Sequence, residues 1–232
     1  MTSQPDFEKA WLEKLSQGLD GRASKENKAD ILSGSEQLSD VSKRETIIDW
    51  SIQAMSKLDK LVDDEQTRHD ILTACACHYP KEQLQLIKEE YAQTRNIKQA
   101  HQRLQDQFEA FLSKGLNLDE DMIEEVVSRG WGLAGIIEGN TVIATKIPKS
   151  ENLKAYLTET DPDKRRQYYC HCRRVRDILK SDQELSVTYC YCGAGYYQGI
   201  WEEILQQPVE VEVLESLMKG DLVCKIAVHL PD

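Results

Sequence analysis

Two kinds of apolar spacing divide this chain. Up to about residue 115 the large apolar side chains recur at helical intervals, as in Ile48, Ile52, Met55 and Val62, the mark of a helix with one buried face. Past Trp131 the period changes to alternation, first in Trp131–Pro148 and again in Val209, Val211 and Val213. That is the period of strands burying one face. The fold expected is α+β, a helical N-terminal half packed on a C-terminal, mostly antiparallel sheet with helices. It divides into a helical region over 1–115 and an α+β domain over 116–232.

Within the helical half, the polar, Gly/Ser-containing stretch 18–40 reads as a loop. A helix from about Glu65 is expected to run into Cys75 and Cys77 and to stop before Pro80. Leu84, Ile87 and Tyr91 mark a third helix. Ile97, Leu104, Phe108 and Leu112 mark a fourth, ended by Gly115. After a short helix at 120–128, two β-rich runs flank Glu138-Gly139-Asn140 and predict a hairpin. Short helices follow over 151–180, then a helix over 193–206 with Tyr197, Trp201 and Ile204 or Leu205 on one side. Strands at 208–216 and 224–230, joined through Lys219-Gly220-Asp221, close the chain.

At 232 residues the chain can bury a sizeable core, and its 40% hydrophobic and 30% charged content is that of a globular protein. No apolar run approaches the roughly 18 residues of a membrane helix. The N-terminus is acidic and amphipathic, unlike a signal peptide, so the cytoplasm is the expected location. A net charge of -11 argues against nucleic-acid and anionic-membrane partners.

Six of the seven cysteines form three Cys-x-Cys pairs, Cys75/Cys77, Cys170/Cys172 and Cys190/Cys192, and Cys224 is the seventh. In a reducing compartment, closely spaced cysteines point to metal or redox chemistry more than to structural disulfides. The two C-terminal pairs, with 17 residues between them, resemble a structural zinc ligand set, although zinc pairs usually leave two or more residues between ligands. The third pair raises the thiols to six, more than one tetrahedral ion takes. Either one pair is no ligand, or the site is a cluster, or some thiols do chemistry. A buried cysteine can also be a small core residue, and for Cys75 and Cys77 core and ligand are both open. Zinc is the expected metal, with an iron–sulfur cluster as the other candidate. His78 and His171, beside the pairs, could ligate or shuttle protons.

Gly193-Ala194-Gly195 is expected to open the helix that follows. Backbone N–H groups and the positive helix end there could bind an anion or stabilise a thiolate at Cys192. The alternative is close packing that only glycine allows. Lys164, Arg165, Arg166, Arg173, Arg174 and Arg176 gather around the second pair. They read first as a solvated face, with Arg176 the candidate for holding a substrate anion.

The C-terminal residues Gly195, Gly199, Trp201, Glu202, Val209, Val211, Val213, Glu215, Gly220, Asp221 and Cys224 carry a resemblance. Their order is similar to the ending of the bacterial vinyl-reductase-type small-molecule-binding domains and of the L-2-amino-thiazoline-4-carboxylic acid hydrolase-like proteins. It covers about the last 45 residues, and the YCHC and YCYCGAGYY segments resemble a cysteine-pair-bearing branch of that group. Ser216 departs from the pattern, in which cysteine often follows the glutamate. The resemblance implies an α+β fold with a small-molecule pocket, and Cys224 reads as a core residue of the last strand.

Two functions are expected from these residues. One is a metal-thiolate protein that binds or senses a small molecule, with zinc on Cys170, Cys172, Cys190 and Cys192, and Cys75 and Cys77 as further ligands. The other is a cysteine-dependent hydrolase. In it Cys192 is the nucleophile, Gly193 and Gly195 stabilise the oxyanion, His171 or Glu202 is the base and Arg176 anchors the substrate. No P-loop, HExxH or dinucleotide motif is present.

Overall fold

The computed structural model describes residues 6–149, 152–170, 172–181 and 183–231, with the side chains of Lys154 and Arg173 left aside. The first helices are α1 (Phe7–Leu19), α2 (Lys25–Leu32), α3 (Arg44–Leu61) and α4 (Glu65–Thr73). Then come α5 (Lys81–Thr94), α6 (Ile97–Ala110, extended by a π turn to Gly115) and α7 (Glu120–Ser128). Strands β1 (Ile136–Glu138) and β2 (Thr141–Thr145) precede α8 (Leu153–Thr158), α9 (Pro162–Tyr169) and α10 (Arg173–Ile178). The chain ends with α11 (Tyr191–Leu205), β3 (Glu210–Glu215) and β4 (Lys225–His229). The protein is α+β.

The chain separates into two compact units, and none of the three boundaries between them falls at residue 115. One holds residues 1–76 and 172–195, the other 77–171 and 196–232. The end of the helical period near 115 does not mark where a core ends. Phe108 of α6 sits where a Cβ on Gly132 would come within 2.6 Å of its ring, and Gly132 holds φ +109. His101 Nε2 lies 3.0 Å from the Gly135 carbonyl oxygen. The α5–α6 hairpin therefore belongs with the sheet.

In the first unit, Trp11, Leu15 and Leu19 of α1, Ile47, Ala54, Met55 and Leu58 of α3, and Ile71 and Leu72 of α4 are buried. Of the expected α3 face, Ile48, Met55 and Val62 are buried and Ile52 is half-buried. Asp6, Ser24 and Asp64 cap their helices by accepting N–H bonds from Lys9, Asn27 and Thr67. The stretch 18–40, expected as a loop, contains α2. That helix buries only Ile31, so its apolar period is nearly invisible. Tertiary bonds supply the support: Asn27 Nδ2 donates to the Leu61 carbonyl, and Trp50 Nε1 to that of Ser33, both at 3.0 Å. Helix α4 also ends earlier than expected, at Thr73, and the first cysteine pair follows it in non-helical chain.

In the second unit the sheet runs β1-β2-β4-β3, every pair antiparallel. Ile136 faces Ile143 across the expected hairpin, and Gly139 supplies the positive φ, +61, that its two-residue turn requires. Val142, Ala144, Val213, Ile226 and Val228 are buried. Tyr169, at the end of α9, ties helix to sheet. Its hydroxyl donates to the Lys146 carbonyl and accepts the Cys224 N–H at 2.9 Å. Tyr197, Trp201, Ile204 and Leu205 of α11 are buried, as their spacing predicts.

Lys81 and Lys88 each pair with Glu203 at 2.8 Å, and their hydrogen bonds hold its carboxyl below the ordinary carboxylate range. A depressed acid stabilises the fold above its unfolded pKa, and that contribution is lost as pH falls through the folded value. Stability measured by urea unfolding between pH 7 and pH 3 is expected to fall less steeply in Glu203→Gln than in the parent chain.

Candidate functional site

All seven cysteines are present as thiols, and the two units divide them. Cys77, Cys170 and Cys224 lie in the second unit, Cys75, Cys172, Cys190 and Cys192 in the first. Cys170 closes α9 and Cys172 begins α10. His171, between them, lies outside the described residues. Cys190 ends a 3₁₀ turn, Val187–Cys190, that leads straight into α11.

Three thiols of the first unit, one from each pair, share one electrostatic neighbourhood. At its centre is Tyr189, held in the 3₁₀ turn by the Ser186 side chain, which accepts from Thr188 N–H, and by Thr188 Oγ1, which donates to Asp59 at 2.9 Å. Its hydroxyl accepts a hydrogen bond from Arg174 Nη1 at 3.1 Å and lies 3.3 Å from Cys172 Sγ. A guanidinium only donates, so the phenolic hydrogen is left to point elsewhere, and the sulfur is the partner in reach. Burial pushes the phenol well above its ordinary range, with Cys172 and Cys192 adding to the shift. Tyr189 therefore keeps its proton and remains a donor.

Arg174 is almost fully enclosed. Its side chain and that of Glu8 are each 2% exposed, and they form a direct ion pair. Its guanidinium carbon lies 4.3 Å from the centre of the Trp11 ring. Burial works against its charge, but Tyr189, Glu8 and Cys172 outweigh it and hold the guanidinium above its ordinary value. The network continues outward. Arg44 reaches Glu8 at 3.4 Å and Asp177 at 3.1 Å, so two cations and two anions alternate and their charges cancel. In order of contact it reads Cys172, Tyr189, Arg174, Glu8, Arg44, Asp177.

Cys75 has a different environment. It is 1% exposed and its Sγ donates back to the Ile71 carbonyl at 3.3 Å. Burial, with Cys192 adding to it, pushes its thiol far above the ordinary cysteine range. It is a core thiol, while Cys77 is exposed. Cys192 lies in the first turn of α11 with its Sγ donating to the Cys75 carbonyl at 3.5 Å.

Several expected site residues have other surroundings. Gly193, Ala194 and Gly195 do not form a turn ahead of the helix, because they lie inside α11. As the fifth helical residue, Gly195 spends its N–H on the helix itself. A Cβ on Gly195 would lie 2.7 Å from Thr73 Cα and nearer still to the Thr73 carbonyl oxygen. The glycine is there for close packing, the alternative weighed above, with the end of α4 as the surface it meets. Glu202 accepts from Gln198 Nε2 at 3.2 Å and from Val209 N–H at 3.3 Å, joining α11 to the start of β3. Arg174 lies within electrostatic reach of the Cys172 thiol, and Arg176 is half-buried on the same short helix. Tyr189, Glu8 and Trp11 were not singled out by sequence. Their polar groups matter only through contacts such as Glu8 to Arg174, 166 positions apart.

Among the described residues, no three His, Cys, Asp or Glu side chains are disposed as a set that could hold a metal ion. None of the described helices is long and apolar enough to cross a membrane.

Residues 136–232 match a family model described as a family of unknown function (DUF6144). The match starts at β1 and takes in Cys172, Arg174 and Tyr189, but none of α1–α7. No curated protein and no solved structure matches the chain, so the likeness to vinyl-reductase-type and thiazoline-hydrolase-like proteins rests on the C-terminal residues quoted for it.

Proposed function

We propose that this chain carries out thiol chemistry on a small electrophilic molecule, with Cys172 as the working thiol. The observation that supports this is the contact of Cys172 Sγ with a phenol at 3.3 Å, itself held by a buried guanidinium at 3.1 Å. Of the thiols in this unit, Cys75 is enclosed and Cys172 is only half-buried. When the Cys172 sulfur carries negative charge, Tyr189 donates to it and Arg174 stands behind the phenol, a fixed donor arrangement of the kind that activates nucleophilic cysteines. Relative to the cysteine-hydrolase expectation, the nucleophile moves from Cys192 to Cys172 and the supporting arginine from Arg176 to Arg174.

Alkylation tests this. Brief treatment with iodoacetamide at neutral pH, followed by peptide mapping, is expected to modify Cys172 first and faster than a free thiol. Cys172→Ser removes the fast phase, and Tyr189→Phe slows it several-fold. If all cysteines react at the free-thiol rate, or another leads, the proposal fails.

Zinc binding is the second reading, supported by the recurrence of Cys-x-Cys pairs in the sequence. Elemental analysis of protein purified without added metal separates the two. Stoichiometric zinc, lost in Cys172→Ser, would make Cys172 a ligand, and a brown chromophore would indicate an iron–sulfur cluster.

A further inference from the structure

We propose that Cys75 and Cys192, members of the first and third cysteine pairs, form a reversible disulfide under oxidising conditions. The packing of α11 on the end of α4 brings them together. Gly195 presses against Thr73 so closely that no side chain fits between the two backbones. Cys192 lies three positions before Gly195, on the same side of the helix. Cys75 lies two positions after Thr73, in a turn closed by its own N–H to the Leu72 carbonyl at 3.0 Å and that of Ala76 to Thr73 at 3.1 Å. Both cysteines flank the same backbone contact, and Cys192 Sγ already reaches the Cys75 carbonyl oxygen at 3.5 Å. A disulfide needs Cα atoms about 4.4–6.8 Å apart, and closing this one requires the Cys192 sulfur to turn from the Cys75 carbonyl oxygen to the Cys75 sulfur.

The difference in exposure sets the order of events. Cys192 is half-buried and Cys75 enclosed, so a small disulfide oxidant meets Cys192 first. The Cys192 thiolate attacks one sulfur of the oxidant, forming a mixed disulfide and releasing one small thiolate. Cys75 then gives up its proton and displaces the second small thiolate, closing the Cys75–Cys192 bond. Two protein thiols are oxidised, one small disulfide is reduced to two thiols, and the proton passes to the departing thiolate. Burial holds the Cys75 proton tightly, which makes the second displacement the slow step. This couple uses neither Cys172 nor Tyr189, so it stands apart from the thiol chemistry proposed for Cys172.

The test treats the full chain with oxidised glutathione, blocks remaining thiols, and maps peptides without reduction. The expected product is a cross-linked species containing Cys75 and Cys192, two hydrogens lighter than the two peptides, which dithiothreitol reverses. Cys172→Ser retains it. Cys192→Ser abolishes it, and Cys75→Ala leaves glutathione on Cys192, which shows that Cys192 is attacked first. Because the bridge is mapped in the unsubstituted chain, the result does not depend on whether Cys75→Ala folds. A bridge to Cys172 or Cys190 in its place, or glutathione adducts that never resolve, would overturn the proposal.

Discussion

Glu8→Ala is expected to lower stability by about 3–5 kcal/mol, the cost of leaving a buried charge without its partner. Glu8 and Arg174 are each 2% exposed, so water cannot replace the lost carboxylate. The guanidinium would keep only Tyr189 and the Trp11 face. Since whole domains are stable by roughly 5–15 kcal/mol, the loss is a large fraction of what holds the chain folded. Arg174→Ala should cost less, because Glu8 keeps Arg44 at 3.4 Å. The pair is not thereby a large net source of stability. Replacing both residues by apolar side chains of similar volume is expected to be near neutral or stabilising, while removing the guanidinium that donates to the Tyr189 hydroxyl beside Cys172. Urea unfolding of the two single variants and the double variant measures all three. If Glu8→Ala unfolds within about 0.5 kcal/mol of the parent, as a surface substitution would, the pair is not buried as described.

The second large effect contrasts two glycines of one helix. Gly195→Ala places a methyl group against the Thr73 backbone, where neither helix can yield without losing contacts. The expected loss is about 1–3 kcal/mol or more. Gly199→Ala meets nothing within 4 Å, and it removes the conformational freedom that makes helical glycine unfavourable, so a gain of about 1 kcal/mol is expected. Thermal unfolding of both variants decides the matter. Equal behaviour of the two would mean that Gly195 is not seated on Thr73. Loss at Gly195 would also prevent the Cys75–Cys192 bridge, because the same contact sets the Cys192 sulfur against the Cys75 backbone.

Much of the architecture was legible in local pattern. Leu84, Ile87 and Tyr91, the hairpin at Gly139, and the buried side of α11 all follow from apolar period and turn chemistry, and each is found where that pattern puts it. Helix α2 was not legible, because it buries one residue and takes its support from Leu61 and Trp50 far along the chain. The unit boundary was hidden for a similar reason. Whether α5 and α6 join the helices before them or the sheet after them depends on Phe108 meeting Gly132, which no spacing announces.

The candidate site divides the same way. The sequence by itself determined that cysteine recurs three times at a spacing of two, that the second and third pairs lie close in the chain, and that arginines cluster near them. Only the tertiary structure decided which sulfurs have which neighbours. A buried thiol and a half-buried one differ in what encloses them, and a phenol or guanidinium acts on a sulfur only within a few ångströms. Glu8, Trp11, Arg174 and Tyr189 come from distant segments, so their meeting depends on how helices pack and not on any local propensity.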